Sequence, residues 1–402
     1  MTTRADSREQ RVTSGDAWDE LCKTLEQGKR FVLGEGVPAS PRDRAEGFRY
    51  LTRLLAAGIT VCVEHADPDH PEFGRMVDHR MKWGLDCPDC LYLYATVRGD
   101  ATYRIFGNRG SANHFDIQVN HGHFASGDLN GFGTISSRNG LEIETQPDGS
   151  FELWLSEEKR EGNWIRLAPN AEFVLVRQYF DDWENERPAD LYIERVGPVE
   201  PAPPPSPAQM GARLERLCQW LDRSAALWES MSRNFQNLPP NSLTVFRLPE
   251  DDARAGLRGQ AYGMGNFRCD PDEAVIVEFV PPRCRHWSLS LANWYWESLD
   301  FATRQTSLNG HQAELDRDGL FRAVIAHDDP GVPNWLDTTG LTAGTIAARI
   351  LMAEEIPEPK FHRVKLGDLH SCLPPDTPRI YPATRAETLL RRRRSVWHRY
   401  RR

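Results

Sequence analysis

The residues best equipped for chemistry fall between Cys284 and Asp337. The run Arg285-His286-Trp287-Ser288-Leu289-Ser290-Leu291-Ala292-Asn293-Trp294-Tyr295-Trp296-Glu297 places three of the chain's twelve tryptophans within ten residues, beside a Glu, a His and an Asn. Farther on comes His327-Asp328-Asp329-Pro330-Gly331-Val332-Pro333-Asn334-Trp335. A carboxylate and an imidazole at the ends of neighbouring strands are the working parts of general acid–base catalysis, and indole faces receive rings and sugars. On this reading Glu297 or Asp328 is the base and His327 its acid partner, in a reaction of lyase or hydrolase type. Trp294, Trp296, Asn334, Trp335 and Tyr262 would hold a small organic or sugar-like ligand in a Trp-lined cleft. The same residues have a structural explanation, with Trp as core and the acids as solvated turn residues. The chain would then be a non-catalytic ligand-binding or assembly module.

Treated as one straight strand, Trp287 to Trp296 sends residues two apart to one face. Trp287, Leu289, Leu291, Asn293 and Tyr295 go one way, and Ser288, Ser290, Ala292, Trp294 and Trp296 the other. A rival site is His121-Gly122-His123, whose imidazoles would continue the face of Phe115, Ile117 and Val119, with Asp128 following. Two His on one strand face can grip a divalent metal, which makes a metal enzyme the second alternative. No downstream strand offers a third ligand, so the expectation is no cofactor, with His121 and His123 at the edge of a ligand pocket. Cys87-Pro88-Asp89-Cys90 is a lone CxxC without the second pair a structural zinc site wants. Walker, nucleophile-elbow, HExxH and kinase patterns do not occur.

The elements that must position these residues can be read in order. Asp16 reads as the cap of a short helix with Trp18, Leu21 and Leu25 on one face, ending at Gly28. Ser40-Pro41 opens a second helix, with Phe48, Leu51 and Leu55 as its buried stripe and Gly58 as its stop. From Leu91 the period becomes two. Leu91–Val97 and Ala101–Phe106 would form a hairpin over Arg98-Gly99-Asp100. His114–His123, Leu141–Thr145, Ser150–Leu155, Phe173–Phe180 and Asp190–Val196 complete about seven strands, the pattern of an antiparallel sandwich. The proline-rich stretch 198–207 is a stiff linker. Ser206-Pro207-Ala208-Gln209 then forms a capping box for a long packing helix between lobes. Beyond Asn241, strands at Ala274–Val280, the Trp-rich stretch, Gln312–Leu315, Leu320–His327 and Gly344–Met352 form a second lobe. Thr384–Arg402 is a basic amphipathic helix. No internal repeat is convincing, although two β lobes leave a distant duplication open.

The fold class expected is mostly β with flanking helices (α+β), built as two jelly-roll-like antiparallel β-sandwich lobes. The divisions are 1–66 helical segment, 67–197 first lobe, 198–240 linker and packing helix, 241–355 second lobe, and 356–402 extension.

With 402 residues, 40% hydrophobic and 27% charged, the composition is that of a globular protein of two domains. No apolar run approaches the roughly 18 residues of a membrane span. A polar, acid-containing start and eight scattered cysteines fit a reducing, cytoplasmic setting. The net charge is −9; Arg385 to Arg402 carries eight Arg and one Glu, so that tail is +7 and the remainder −16. An acidic body argues against nucleic acid as the main partner, and the expected partner is a small molecule. The tail would contact an acidic surface, its own or that of a second copy in a homo-oligomer.

Pro281-Pro282-Arg283-Cys284-Arg285-His286-Trp287-Ser288-Leu289, Asn293-Trp294 and Asp329-Pro330-Gly331-Val332-Pro333-Asn334-Trp335-Leu336-Asp337 resemble the C-terminal β domain of a bacterial family, the DUF1214 domain. The likeness runs from about Tyr262 to Leu351. Leu91-Tyr92-Leu93-Tyr94 and Val119-Asn120-His121-Gly122-His123-Phe124 resemble the partner domain of full-length members. The resemblance implies a jelly-roll-like β-sandwich and assigns no activity, because the family itself has none assigned.

Overall fold

The computed structural model describes residues 4–128, 130–198, 201–247 and 259–401. Val199 and Glu200 of the expected linker, and 248–258 of the expected second lobe, lie outside the described residues. The first lobe holds β1 (Cys90–Thr96), β2 (Tyr103–Asn108), β3 (His114–Gly122), β4 (Phe132–Asn139), β5 (Ser150–Ser156), β6 (Trp164–Arg166), β7 (Ala171–Tyr179) and β8 (Asp190–Arg195). They form two sheets, ordered β1-β7-β3-β4 and β6-β5-β2-β8. Alternation explains the packing. Val174 and Val176 of β7 bury with Ile105, Ile117 and Leu153 between the sheets, and Leu175, Arg177 and Tyr179 take the other face.

The second lobe holds β9 (Ser242–Arg247), β10 (Gln260–Arg268), β11 (Glu273–Phe279), β12 (His286–Ala292), β13 (Ser307–Asn309), β14 (Phe321–Ala326), β15 (Trp335–Asp337), β16 (Ala343–Leu351) and β17 (Lys360–Lys365). Its sheets run β13-β12-β16-β10-β9 and β15-β14-β11-β17. Setting aside edge strand β9, each strand of the second lobe occupies the place of the strand nine numbers lower in the first. Even the short parallel pairs correspond, β5 with β6 and β14 with β15. The molecule is therefore a duplicated sandwich. The sequence shows no convincing repeat because a sandwich needs only the pattern of inward residues, which many sequences satisfy.

Helices α1 (Arg4–Ser14), α2 (Asp16–Gly28), α3 (Arg30–Leu33), α4 (Pro41–Ile59), α5 (Pro207–Gln219) and α6 (Ala225–Gln236) pack together, and α7 (Pro382–Tyr400) closes the chain. The cap at Ser40 and the capping box at Ser206 and Gln209 both form. Wider π turns at Thr60–Glu64 and Trp220–Ser224 extend α4 and divide α5 from α6.

Several local expectations are corrected. Gly15, at φ 89°, precedes α2, and Asp16 is its first helical residue. The α2 face is set by Ala17 and Leu21; Trp18 and Leu25 are exposed. On α4 the buried line is Tyr50, Leu54 and Ala57, and Phe48 is exposed. Gly58 does not stop the helix: a Cβ there would sit 2.6 Å from Trp220 Cδ1, so its role is close helix approach. Strands β1 and β2 belong to different sheets, so Arg98-Gly99-Asp100 joins sheets instead of turning a hairpin. Leu141–Thr145 and Gln312–Leu315 are not strands. The second sandwich also extends past residue 355 through β17. No helix among the described residues is long and apolar enough to cross a membrane.

Candidate functional site

Between the lobes lies a cavity of about 320 Å³, and its walls follow from strand alternation. Leu175, Arg177 and Tyr179 line it from β7, Tyr92 from β1 and Phe132 from β4. Gln260, Tyr262 and Met264 line it from β10, and Arg349 from β16. Helix α6 adds Trp228, Met231 and Phe235, which share a face at helical spacing. The segment from Met76 to Asp86 closes the remaining side with Trp83 and Leu85.

The duplication has a chemical consequence here. Tyr92 lies directly across from Arg177 in the first lobe, and Tyr262 directly across from Arg349 in the second. These are corresponding positions, so each lobe contributes one Tyr–Arg pair to the same cavity. Arg177 and Arg349 are only 9% and 7% exposed. A guanidinium keeps its charge under such burial, because its pKa stands too far above neutrality to yield. Arg177 donates to Gln118 Oε1. Arg349 donates to Leu85 O at 2.7 Å and Ala348 O at 3.1 Å and sits 5.3 Å from the Tyr262 ring centroid. Among the described residues no carboxylate lies within ion-pair distance of Arg349. Burial raises the Tyr92 and Tyr179 phenols well above their ordinary range, so both remain protonated donors. Tyr179 donates to Gln260 Oε1 at 2.7 Å, which ties the two lobes together beside the cavity.

The rest of the lining is apolar and aromatic apart from Asp86, whose carboxylate accepts from Ser298 N at 2.8 Å and Ser298 Oγ at 2.6 Å. Trp83 packs edge-on against Phe124 and Trp220, and its Nε1 donates to Met76 O at 2.8 Å. Trp228 stacks on Trp296 at 5.8 Å between centroids, and its buried Nε1 has no acceptor among the described residues. A mostly apolar space with a few convergent polar groups is the ordinary make-up of a small-molecule site.

Of the residues expected from sequence, the structure brings Tyr262 to this cavity directly. Trp296 backs it through Trp228. The strand assumed for Trp287 to Trp296 ends at Ala292. Asn293 N then donates to Glu297 O at 2.9 Å, and Trp296 turns left-handed at φ 56°, so alternation stops. Glu297 is wholly buried, paired with Arg53 at 2.8 Å and bonded to Asn293 Nδ2 at 2.8 Å. Burial raises its carboxyl while Arg53 opposes the rise. His327 bonds Cys269 O at 2.8 Å and Thr338 Oγ1 at 3.2 Å, and Asp328 is exposed. Glu297 and His327 share no partner. Asn334 is spent on the backbones of Glu314 and Arg322, and Trp335 on Ala326 O and the Arg385 guanidinium, all within or against the second lobe. Trp294 is partly buried, with Arg233 at 5.7 Å over its ring.

His121 and His123 are not a matched pair on one face. The register shifts at Val119/Asn120, and Gly122 at φ 69° ends β3. His123 instead accepts from Ala125 N at 3.1 Å, and burial lowers its pKa to about 3, so it stays neutral. Among the described residues no group of three or more His, Cys, Asp or Glu is placed to hold a metal ion. Cys87 and Cys90 are buried free thiols; burial raises both.

Arg177, Arg349, Tyr92, Tyr179, Trp83 and Trp228 were not expected as site residues from the sequence; Tyr92 entered only through the family resemblance and Trp228 only as a packing residue of the interlobe helix. One signal was present. Each lobe has a lone arginine in the middle of an apolar strand, within Phe173–Phe180 and within Gly344–Met352.

The model of a protein family described as "Protein of unknown function (DUF1214)" matches residues 95–181, in the first lobe; the motifs with the sharpest likeness, in the second lobe, lie outside the match. The structure of an uncharacterized protein from Burkholderia cenocepacia is 32% identical, with 89% of this chain and 99% of that chain covered and a TM-score of 0.85. The VPA0106 protein from Vibrio parahaemolyticus is 11% identical over 78% of this chain and 97% of that one, at a TM-score of 0.41. No curated protein matches.

Proposed function

This chain belongs to the DUF1214 family, and from that premise we propose that it binds a small, largely apolar organic acid in the cavity between its two sandwiches. The observation that carries the reading is the doubled Tyr–Arg pair, Tyr92 with Arg177 and Tyr262 with Arg349, set in a largely apolar and aromatic wall. Arg349 loses hydration on burial without a carboxylate at ion-pair distance among the described residues, and a bound carboxylate would offset that cost. Arg177 has the buried Asp116 opposite it on β3, so its share in holding the acid is the smaller. The bound carboxylate would accept charge-assisted bonds from the arginines and further bonds from the phenols. Trp83, Phe132, Trp228 and Phe235 would cover the apolar body of the ligand. Trp228 Nε1, a buried donor without an acceptor, supplies one more point of recognition.

In this reading the ligand cleft is lined by Trp83 and Trp228, in place of the Trp294, Trp296 and Trp335 expected from the sequence. Lyase or hydrolase chemistry from Glu297, His327 and Asp328 finds no support in their positions. Binding by itself is the reading the cavity favours.

The test uses the cavity's own fluorophores. Octanoate and naphthoate should each change the tryptophan emission saturably, and the change should be lost in Trp228→Phe with Trp83→Phe. Emission unchanged up to millimolar acid would overturn the reading.

A further inference from the structure

A second cavity, of about 240 Å³, lies on the other side of the 76–86 segment. The segment is a shared wall: Trp83 and Leu85 face the first cavity, while His79, Arg80 and Lys82 line the second. The second cavity has the opposite chemistry. Arg42, Arg49 and Arg53 reach it from α4, Arg80 and Lys82 from the wall, Arg304 from the loop after β12, and Arg393 from α7. Glu46 and Asp300 are the only carboxylates in its lining among the described residues.

Pairing accounts for three of the seven cations. Arg49 meets Glu46 at 3.6 Å, Arg53 meets the buried Glu297 at 2.8 Å, and Arg304 meets Asp337 at 2.7 Å. Arg42, Arg80, Lys82 and Arg393 have no carboxylate within ion-pair distance among the described residues. Lys82 is 3% exposed, held by the carbonyls of Ser298 at 2.8 Å and Leu299 at 2.7 Å; burial lowers its pKa while Asp86 opposes the fall, and a bound anion would favour its charged form. Burial lowers His79, so the imidazole adds a neutral polar edge and no counter-charge.

Four cations around one concavity repel one another, and walls of low dielectric screen them poorly. They come from three separate chain segments, with Arg42 also donating to Thr339 O and Arg393 lying over the Trp397 ring. An anion carrying two or more charges would remove that repulsion. Arginine forks and a lysine point charge together suit the three oxygens of a phosphoryl group better than a single carboxylate. We propose that this basic cavity is a binding site for a phosphomonoester or diphosphate group on a small metabolite. Lys82 and Arg53 lie deepest and Arg80 and Arg393 at the mouth, with Glu297 as the buried counter-charge that keeps Arg53 extended. The site also gives the arginine-rich terminal helix a task, since Arg393 completes the rim.

The probe is inorganic pyrophosphate, titrated calorimetrically into the full chain. Three proteins are compared: the unaltered chain, a double variant Arg80→Ser with Arg393→Ser, and a control with Arg160→Ser and Arg317→Ser. Both pairs are exposed, so each variant should fold, and both remove the same charge. The proposal expects saturable binding that weakens at least tenfold in the rim variant and stays within twofold in the control. Absence of binding to the unaltered chain would overturn it. Equal weakening in both variants would reduce it to the general field of the surface and overturn it as well. The first cavity's response to octanoate should be the same in all three, so failure here leaves the organic-acid reading untouched.

Discussion

The backbone N–H of Leu85 donates to the carbonyl of Trp296 at 2.7 Å, and both residues are left-handed, at φ 57° and 56°. Bulky side chains rarely accept that conformation, which costs about 1–3 kcal/mol at each position and persists only where surroundings enforce it. Here the surroundings are the cavity. The Leu85 carbonyl receives Arg349 Nη2, the Leu85 side chain lines the wall, and the Trp296 ring supports Trp228. The strained pair therefore holds a guanidinium from the second lobe and an indole from the helical layer in fixed positions.

The left-handed backbone predicts an inverted order of substitutions at residue 85. Ordinarily glycine destabilises more than alanine. Both Leu85→Ala and Leu85→Gly empty the same wall, but only glycine is at ease at φ 57°. Leu85→Gly should be the more stable of the two by about 1 kcal/mol in denaturant unfolding. The usual order would mean that the turn relaxes freely.

At Gly58 two accounts give opposite signs. As a mid-helix glycine it should gain about 1 kcal/mol on change to alanine. As a contact point, where the new Cβ would meet Trp220 Cδ1 at 2.6 Å and Leu217 Cδ1 at 2.7 Å, it should lose stability. Gly58→Ala is expected to cost about 1–3 kcal/mol through overpacking, read from the urea midpoint.

Glu297→Gln separates a structural from a chemical role. Arg53 keeps its charge while its buried partner loses one, so the variant should lose on the order of 3 kcal/mol of stability. Octanoate affinity, measured where the variant is folded, should be unchanged. A stable variant with altered ligand binding would restore Glu297 to a functional part.

Stability should also fall in mild alkali. Burial works against a charged His286, but Asp181, hydrogen-bonded to Nδ1, and the Cys87 thiol outweigh it and raise the imidazole to about 10. A group raised on folding stabilises fully below its unfolded value, roughly 6.5, and loses that contribution as pH climbs through its folded value. Thermal midpoints should thus decline between about pH 6.5 and 10. In Asp181→Asn this part of the slope should flatten; an unchanged slope would place its origin elsewhere.

The parts legible in the sequence are those set by near neighbours. Ser40 and Ser206 announce their helices because capping is local chemistry, and most strands announce themselves by alternation. The Trp-rich stretch misled for an equally local reason. Its period-two pattern runs past Ala292, where Asn293 closes a turn by bonding Glu297 and Tyr295, so the tryptophans beyond it do not follow the strand faces. The cavity was illegible because its tyrosines, arginines and glutamine stand on four strands from Tyr92 to Arg349. No spacing rule connects them; only the sheet register and the duplication do.

The central claim is tested most directly by substituting Arg349 with methionine, which fills similar space without charge, and comparing octanoate with octanol by calorimetry. The account predicts that octanoate binding weakens by about tenfold to a hundredfold, the worth of a charged hydrogen bond, while octanol binds both proteins alike. Octanoate binding that survives Arg349→Met undiminished, or falls together with octanol, would contradict recognition of the acid by the paired arginines.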